Sequence, residues 1–138
     1  MVFTSSEELE RILMDLWGRI KSDPSMSGEL VRSKLIVQFR YREPEGCLTV
    51  DGSDGQELKL VWGQYDKKPT IEMSMKADVA HEFWMGRVSV PVAVLTGKMV
   101  SKGPTPKALA LLPVIRPAFN IYPEVLKQAG KEALLASG

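Results

Sequence analysis

Across residues 35–75 the side chains alternate apolar and polar with a period of two, and this alternation limits the fold more than any other feature. Leu35, Val37, Phe39 and Tyr41 lie to one side, with Ile36, Gln38, Arg40 and Arg42 to the other. Leu48 and Val50, then Leu58, Leu60 and Trp62, then Ile71, Met73 and Met75 repeat the scheme against Thr49, Lys59, Glu72 and Ser74. Successive Cβ atoms of a strand point to opposite faces, so the pattern predicts four half-buried strands. The stretches between them, residues 43–46, 51–55 and 63–69, are short and rich in turn formers, which predicts hairpins. An antiparallel meander follows, with helices over the apolar face and water against the polar one.

The flanks read as helices. Thr4, Ser5 and Ser6 precede Glu7 and Glu8, a capping-box pattern, and Leu9, Ile12, Leu13, Leu16, Trp17 and Ile20 follow at helical spacing. A helix over about residues 6–22 is expected, ended by Asp23-Pro24, with a polar stretch through Gly28 leading to the first strand. Beyond Met75, Asp78 is expected to cap a helix holding Val79, Phe83 and Trp84 that stops at Gly86. A second short helix begins near Val90 with Pro91 in its first turn, and residues 98–102 form a fifth strand. Thr105 then caps, and Pro106 opens, a helical segment kinked at its prolines up to Gly130. Residues 131–138 are expected to fray. The expected architecture is α+β, one domain over residues 1–138, with a five-stranded, mainly antiparallel sheet and helices covering one face.

Composition decides against several functions. The 138 residues carry 18 basic and 17 acidic side chains, a net charge of +1, with no basic stripe to displace counterions, so no nucleic-acid partner is expected. One cysteine fits a reducing compartment and removes thiolate zinc clusters. Glu7, Glu8 and Glu10 are the wrong chemistry for a signal peptide. Pro113, Pro117 and Pro123 break the apolar run 108–126, so no spanning helix is expected there, and the expected address is the cytoplasm.

Candidate catalytic groups reduce to bland readings. His81-Glu82 begins like a zinc-protease motif, but position 85 is methionine, leaving a histidine expected on a helix surface beside an acid. Gly97-Lys98 lacks the remainder of a phosphate loop. Cys47 reads as a half-buried strand cysteine. Glu72 falls on the solvated face, with no second carboxylate to form a pair. Neither a catalytic group nor a cofactor or metal is expected. Arg116, the one cation within residues 108–126, reads as a snorkelling side chain or as a contact for a ligand headgroup.

Apolar residues are in surplus on the helical side. One amphipathic helix would nearly cover the sheet, yet Phe83, Trp84, Met85, Val92, Val94, Leu95 and Met99 follow, and the 108–126 run adds more. A thick core, a subunit interface, or a cavity for an apolar ligand lined by adaptable methionines and aromatics would each absorb them.

The order of elements and several local strings resemble the sterol carrier protein type 2 family of small lipid-transfer domains. The resemblance covers about residues 9–126. It rests on the alternating strand 35–41 with its hairpins, on Thr70-Ile71-Glu72-Met73-Ser74-Met75 leading into a helix with Asp78, on Val94-Leu95-Thr96-Gly97-Lys98-Met99, and on Lys102-Gly103 before Ala108, Leu109, Leu111 and Leu112. Val88-Ser89-Val90-Pro91-Val92 and the proline-broken C-terminal run depart from the family pattern. That run stands open as a lid, a dimer contact or a membrane-docking surface. The resemblance implies a non-enzymatic carrier of a fatty acid, acyl-CoA, phospholipid or sterol in a tunnel between sheet and helices. The alternative is an interaction or homodimerisation module on the same fold with no physiological lipid. The lining expected for a carrier is Phe83, Trp84, Val94, Leu95, Met99, Leu112, Ile115 and Phe119, with Met73 and Met75 from the sheet and Arg116 at the headgroup. An empty cavity of ~300 Å³ would cost about 7 kcal/mol, so an unliganded tunnel is expected to collapse, fill with water or hold a stray lipid.

Overall fold

The computed structural model describes residues 1–135. Helix α1 (Ser6–Ser22) begins where Ser5 Oγ accepts from Glu8 N at 3.1 Å and the Glu8 carboxylate accepts from Thr4 N at 2.9 Å. Its buried stripe is Leu9, Ile12, Leu13, Leu16, Trp17 and Ile20, as the spacing predicts.

Asp23-Pro24 ends α1 and also starts a helix that the sequence reading takes as a polar connector. In α2 (Pro24–Ser33) the Asp23 carboxylate accepts from Ser25 N and Met26 N, and Pro24 occupies the first turn, where its missing N–H costs nothing. Met26, Leu30 and Val31 are its buried side chains. Lys34, in the left-handed region at φ 57°, closes it.

Five strands follow: β1 (Ile36–Arg42), β2 (Gly46–Asp51), β3 (Lys59–Trp62), β4 (Ile71–Lys76) and, after two helices, β5 (Met99–Lys102). The sheet order is β3-β2-β1-β4-β5. Only the first three strands form a meander; β4 lies beside β1 and parallel to it, while the other pairs are antiparallel. The difference from a four-strand meander follows from burial. Ile71, Met73 and Met75 of β4 are all buried, which suits a strand flanked on both sides, whereas four-residue β3 is half-exposed and suits an edge. Thr70 begins the parallel pairing, accepting from Ile36 N at its hydroxyl and donating its own N–H to Ile36 O at 2.8 Å.

The register brings the apolar side chains into rows. Leu48 faces Trp62 and Phe39, Phe39 faces Met73, and Tyr41, Met75 and Met99 align across β1, β4 and β5. Gly103, at φ 103°, ends β5 where a Cβ would collide with the Thr70 carbonyl oxygen, so only glycine fits that crossing.

Helix α3 (Ala77–Trp84) follows β4 directly. Its N-cap is Lys76; Asp78 sits in the first turn and accepts instead from Val2 N at 2.9 Å, pinning the N-terminal strap to the helix. After α4 (Val90–Leu95) and β5, the prolines divide the C-terminal run into α5 (Thr105–Leu109), α6 (Leu112–Ile115), a 3-10 turn (Arg116–Asn120) and α7 (Tyr122–Gln128). Pro104, not Thr105, holds the cap position of α5, and the Thr105 hydroxyl lies 2.8 Å from that of Ser101. In the stretch expected to fray, Lys131 pairs with Glu8 at 2.9 Å, and Glu132–Leu135 form a 3-10 turn with Leu134 and Leu135 against the core. Residues 136–138, the rest of the expected tail, lie outside the described residues.

Candidate functional site

Between the apolar face of the sheet and the helices lies a cavity of about 80 Å³. Val37, Phe39 and Tyr41 of β1, Val50 of β2, Met73 and Met75 of β4 and Met99 of β5 make its floor. Trp17 of α1 and Leu30 of α2 close one side, and Ala80, Phe83 and Trp84 of α3 another. Val90 of α4 and the broken segment, through Ala108, Leu109, Leu111, Leu112 and Ile115, complete the wall. No charged side chain lines it. Burial pushes the Tyr41 phenol far above its ordinary range, so its hydroxyl stays protonated. The Trp17 indole N–H has no hydrogen-bond partner among the described residues.

Seven residues expected from sequence meet at this cavity: Met73, Met75, Phe83, Trp84, Met99, Leu112 and Ile115. Four do not line it. Phe119 stands one layer behind, its ring 5.4 Å from Phe83 and 6.1 Å from Trp84. Val94 is half-buried against the core without facing the cavity. Leu95 is 86% exposed, because Val90 and Ala93 take the inner face of six-residue α4 and turn Leu95 outward. Arg116 is exposed at the junction of α6 and the 3-10 turn. A guanidinium in this wall would have no carboxylate to pair with, so its outward position fits the cost of burying a charge. The alternation already placed Val37, Phe39 and Tyr41 on the correct face, although the expected lining left them out.

His81 is not on a surface. It is 1% exposed, with Nδ1 2.8 Å from the Tyr122 hydroxyl of α7, the Phe3 ring edge-on at 6.3 Å, and Nε2 without a partner among the described residues. Its neighbour Glu82 is engaged by Arg87 at 3.2 Å. Burial drives the imidazole pKa below its ordinary value, so it stays neutral. We expect Tyr122→Phe, which strips His81 of its hydrogen-bond partner without opening a large void, to cost about 1 kcal/mol in urea unfolding. The midpoint should move with an unchanged slope.

The polar face of the sheet is not simply wet. Residues 63–70 cross over it between β3 and β4, and Tyr65 donates to Asp51 while Lys67 approaches the same carboxylate at 3.6 Å. Gln38, Thr49 and Asp51 are buried beneath. A cleft beside this crossing is lined by Gln38, Arg40, Cys47, Gly63, Gln64, Tyr65 and Asp66. Arg40 is held by Glu72 at 2.7 Å, and Gln38 Nε2 donates to Thr49 at 3.3 Å. Cys47 is a half-buried strand residue, as expected, and burial raises its thiol pKa, which keeps it protonated and a poor nucleophile. Among the described residues no group of three or more His, Cys, Asp or Glu side chains is placed to hold a metal ion, and no helix is long and apolar enough to cross a membrane.

No family model matches the chain, and no curated protein matches it in sequence. Solved structures do match. Apo sterol carrier protein 2 from Yarrowia lipolytica superposes with a TM-score of 0.65 at 19% identity, over 78% of this chain and 90% of that one. The sterol carrier protein domain 2 of Helicoverpa armigera gives 0.64 at 16% identity, over 85% and 95%. The palmitated sterol carrier protein 2-like 2 from Aedes aegypti gives 0.57 at 21% identity, over 78% and 93%. The chain therefore has the sterol carrier protein 2 fold, as its strings and element order suggest.

Proposed function

We propose that this chain is a non-enzymatic carrier that takes the apolar part of a lipid, a fatty acyl chain or a sterol-like body, into the cavity between sheet and helices. The observation that carries the reading is a cavity wholly walled by apolar and aromatic side chains inside a sterol carrier protein 2 fold, one of whose structural relatives is palmitated. Three methionines on the floor supply a polarizable surface that adapts to different chains. The space is small: about 80 Å³ corresponds to a cavity penalty of about 2 kcal/mol.

Uptake then requires the wall to part. The α5 helix has no buried residue and α6 has one, Ile115, so this jointed side moves at least cost while the sheet floor stays fixed. Burying a chain of about 16 carbons at ~0.8 kcal/mol per methylene yields roughly 12 kcal/mol gross, enough to offset both the parting and the cost of association.

Native mass spectrometry of gently purified protein, followed by organic extraction, tests the reading together with displacement of a fluorescent fatty acid. Copurified lipid or saturable displacement is the expected result; neither would leave the fold as an interaction module. Ala108→Trp sharpens the test, because Ala108 lines the cavity from α5, a helix with no fully buried residue. The indole should fill the space and weaken fatty-acid affinity about tenfold while the melting temperature stays near that of the wild type.

A further inference from the structure

The cleft on the polar face of the sheet has a volume of about 830 Å³ and shares no lining residue with the apolar cavity. Gln38 and Arg40 of β1, Cys47 of β2, and Tyr65 and Asp66 of the crossing between β3 and β4 border it. The carrier reading makes no use of this space.

Gln38 is the unsatisfied group on its floor. It is 6% exposed, and its Oε1 has no hydrogen-bond partner among the described residues. Its neighbours in the sheet do not supply one. Thr49, opposite on β2, is already engaged by Gln38 Nε2 at 3.3 Å. Glu72, opposite on β4, is a carboxylate, which accepts hydrogen bonds and donates none. A buried amide oxygen without a donor is costly, and the cleft is the direction from which a donor can still reach it.

Arg40 stands two residues further along β1, so its side chain leaves the same face about 6.6 Å away. Glu72 holds its Nε at 2.7 Å, while its terminal Nη groups make no hydrogen bond among the described residues. The floor thus offers an acceptor and, about the span of a six-membered ring with its carbonyl oxygens away, a donor. The charges around it select a neutral ligand. Glu72 balances Arg40, and the exposed Asp66, in no ion pair among the described residues, opposes a phosphate or carboxylate. Tyr65 is fixed by the bond from its hydroxyl to Asp51, and a rigid aromatic border favours a flat ligand.

We propose that this cleft binds a neutral, planar heterocycle with adjacent N–H and C=O groups, a lactam or imide ring of the pyrimidine-base type. Its N–H donates to Gln38 Oε1 and a carbonyl accepts from Arg40. The site lies on the far side of the sheet from the apolar cavity and does not rest on the carrier reading.

Uracil is the probe. In amide NMR spectra of the whole chain it should move the resonances of residues 38–40, 47 and 63–66 saturably, with a Kd of about 1 mM, in keeping with so small a ligand. 1,3-Dimethyluracil, which keeps both carbonyls and has no N–H, should bind at least tenfold more weakly. Gln38→Leu, which keeps the bulk and removes the amide, should weaken uracil about tenfold, and so should Arg40→Met. Cys47 is the one cysteine of the chain, so its alkylation by iodoacetamide reads the cleft directly. Uracil at ten times Kd should slow that reaction about tenfold by mass action. No saturable shift up to about twenty times the expected Kd would overturn the proposal. Equal binding of 1,3-dimethyluracil would do the same in the wild type, whatever the folding of the variants, and so would saturable shifts that leave Cys47 alkylation unchanged, which would place the ligand elsewhere. A fatty acid bound in the apolar cavity should leave the uracil affinity unaltered. Loss of either activity therefore leaves the other standing.

Discussion

Trp84→Ala is expected to lower stability by about 3–5 kcal/mol, the largest effect of any substitution considered. Trp84 is 3% exposed and joins three aromatic neighbours: Trp17 edge-on at 5.8 Å, Phe83 at 4.8 Å and Phe119 at 6.1 Å. Each such pair contributes about 0.5–1.5 kcal/mol beyond the area buried, and the lost indole adds its own volume to a space that is already partly empty. Because Trp84 lines the cavity, the void joins the proposed lipid site. An apolar ligand that fills it should return part of the loss, and saturation at a hundred times Kd would restore about 2.7 kcal/mol. Urea unfolding with and without a fatty acid is the measurement. A loss below about 1 kcal/mol would remove Trp84 as the wedge between α1, α3 and the C-terminal segment. Stabilisation of the variant no larger than that of the wild type would separate the void from the ligand site.

Acidification should remove about 2 kcal/mol through one carboxylate, Asp51. It is 1% exposed at the end of β2. Burial works against its charge, but bonds from Ser53 and Tyr65, with Lys67 beside it, outweigh that and hold its pKa at about 2, below the ordinary 3.8. The same contact pushes the Tyr65 phenol up to about 12. The folded protein thus binds the proton more weakly than the unfolded chain. The stabilisation is complete above about pH 4 and is lost as pH falls through 4 towards 2. Asp51→Asn should be less stable than the wild type at pH 7 by about this amount, and the two should converge near pH 2 in denaturant titrations. Parallel curves would show that the carboxylate does not anchor the crossing loop over the polar face.

Period and spacing carried the strands, their facing, α1 and the broken C-terminal run. The misses have local causes. Asp23-Pro24 is at once a helix stop and a strong helix start, and only the packing of Met26, Leu30 and Val31 shows that both apply. The partner of β4 is invisible to alternation, which fixes which face a strand shows but not which neighbour it takes. His81 was legible: Ala77, Ala80, His81 and Trp84 fall at helical spacing and are the buried stripe of α3, so the histidine belongs to the core by position. The outward turn of Leu95 was not legible, since Val90, Val92, Val94 and Leu95 of α4 are all apolar and no polar side marks the solvent. Proximity in sequence also hid the separation of Arg116 from the cavity, because α6 ends at Ile115 and the 3-10 turn begins at Arg116, so the two neighbouring side chains face inward and outward.

The parallel seam between β1 and β4 sets an order of assembly. The β1-β2-β3 hairpins close from neighbouring residues, but the other edge of β1 finds its partners only at Ile71–Lys76. Until that stretch has been synthesised, the future central strand is an outer one, with unpaired amides and carbonyls beside an aromatic, apolar face. The sheet is thus completed from its middle only once Ile71–Lys76 has been made, and the interval before β4 arrives is when a nascent chain of this protein is most open to pairing with the wrong strand.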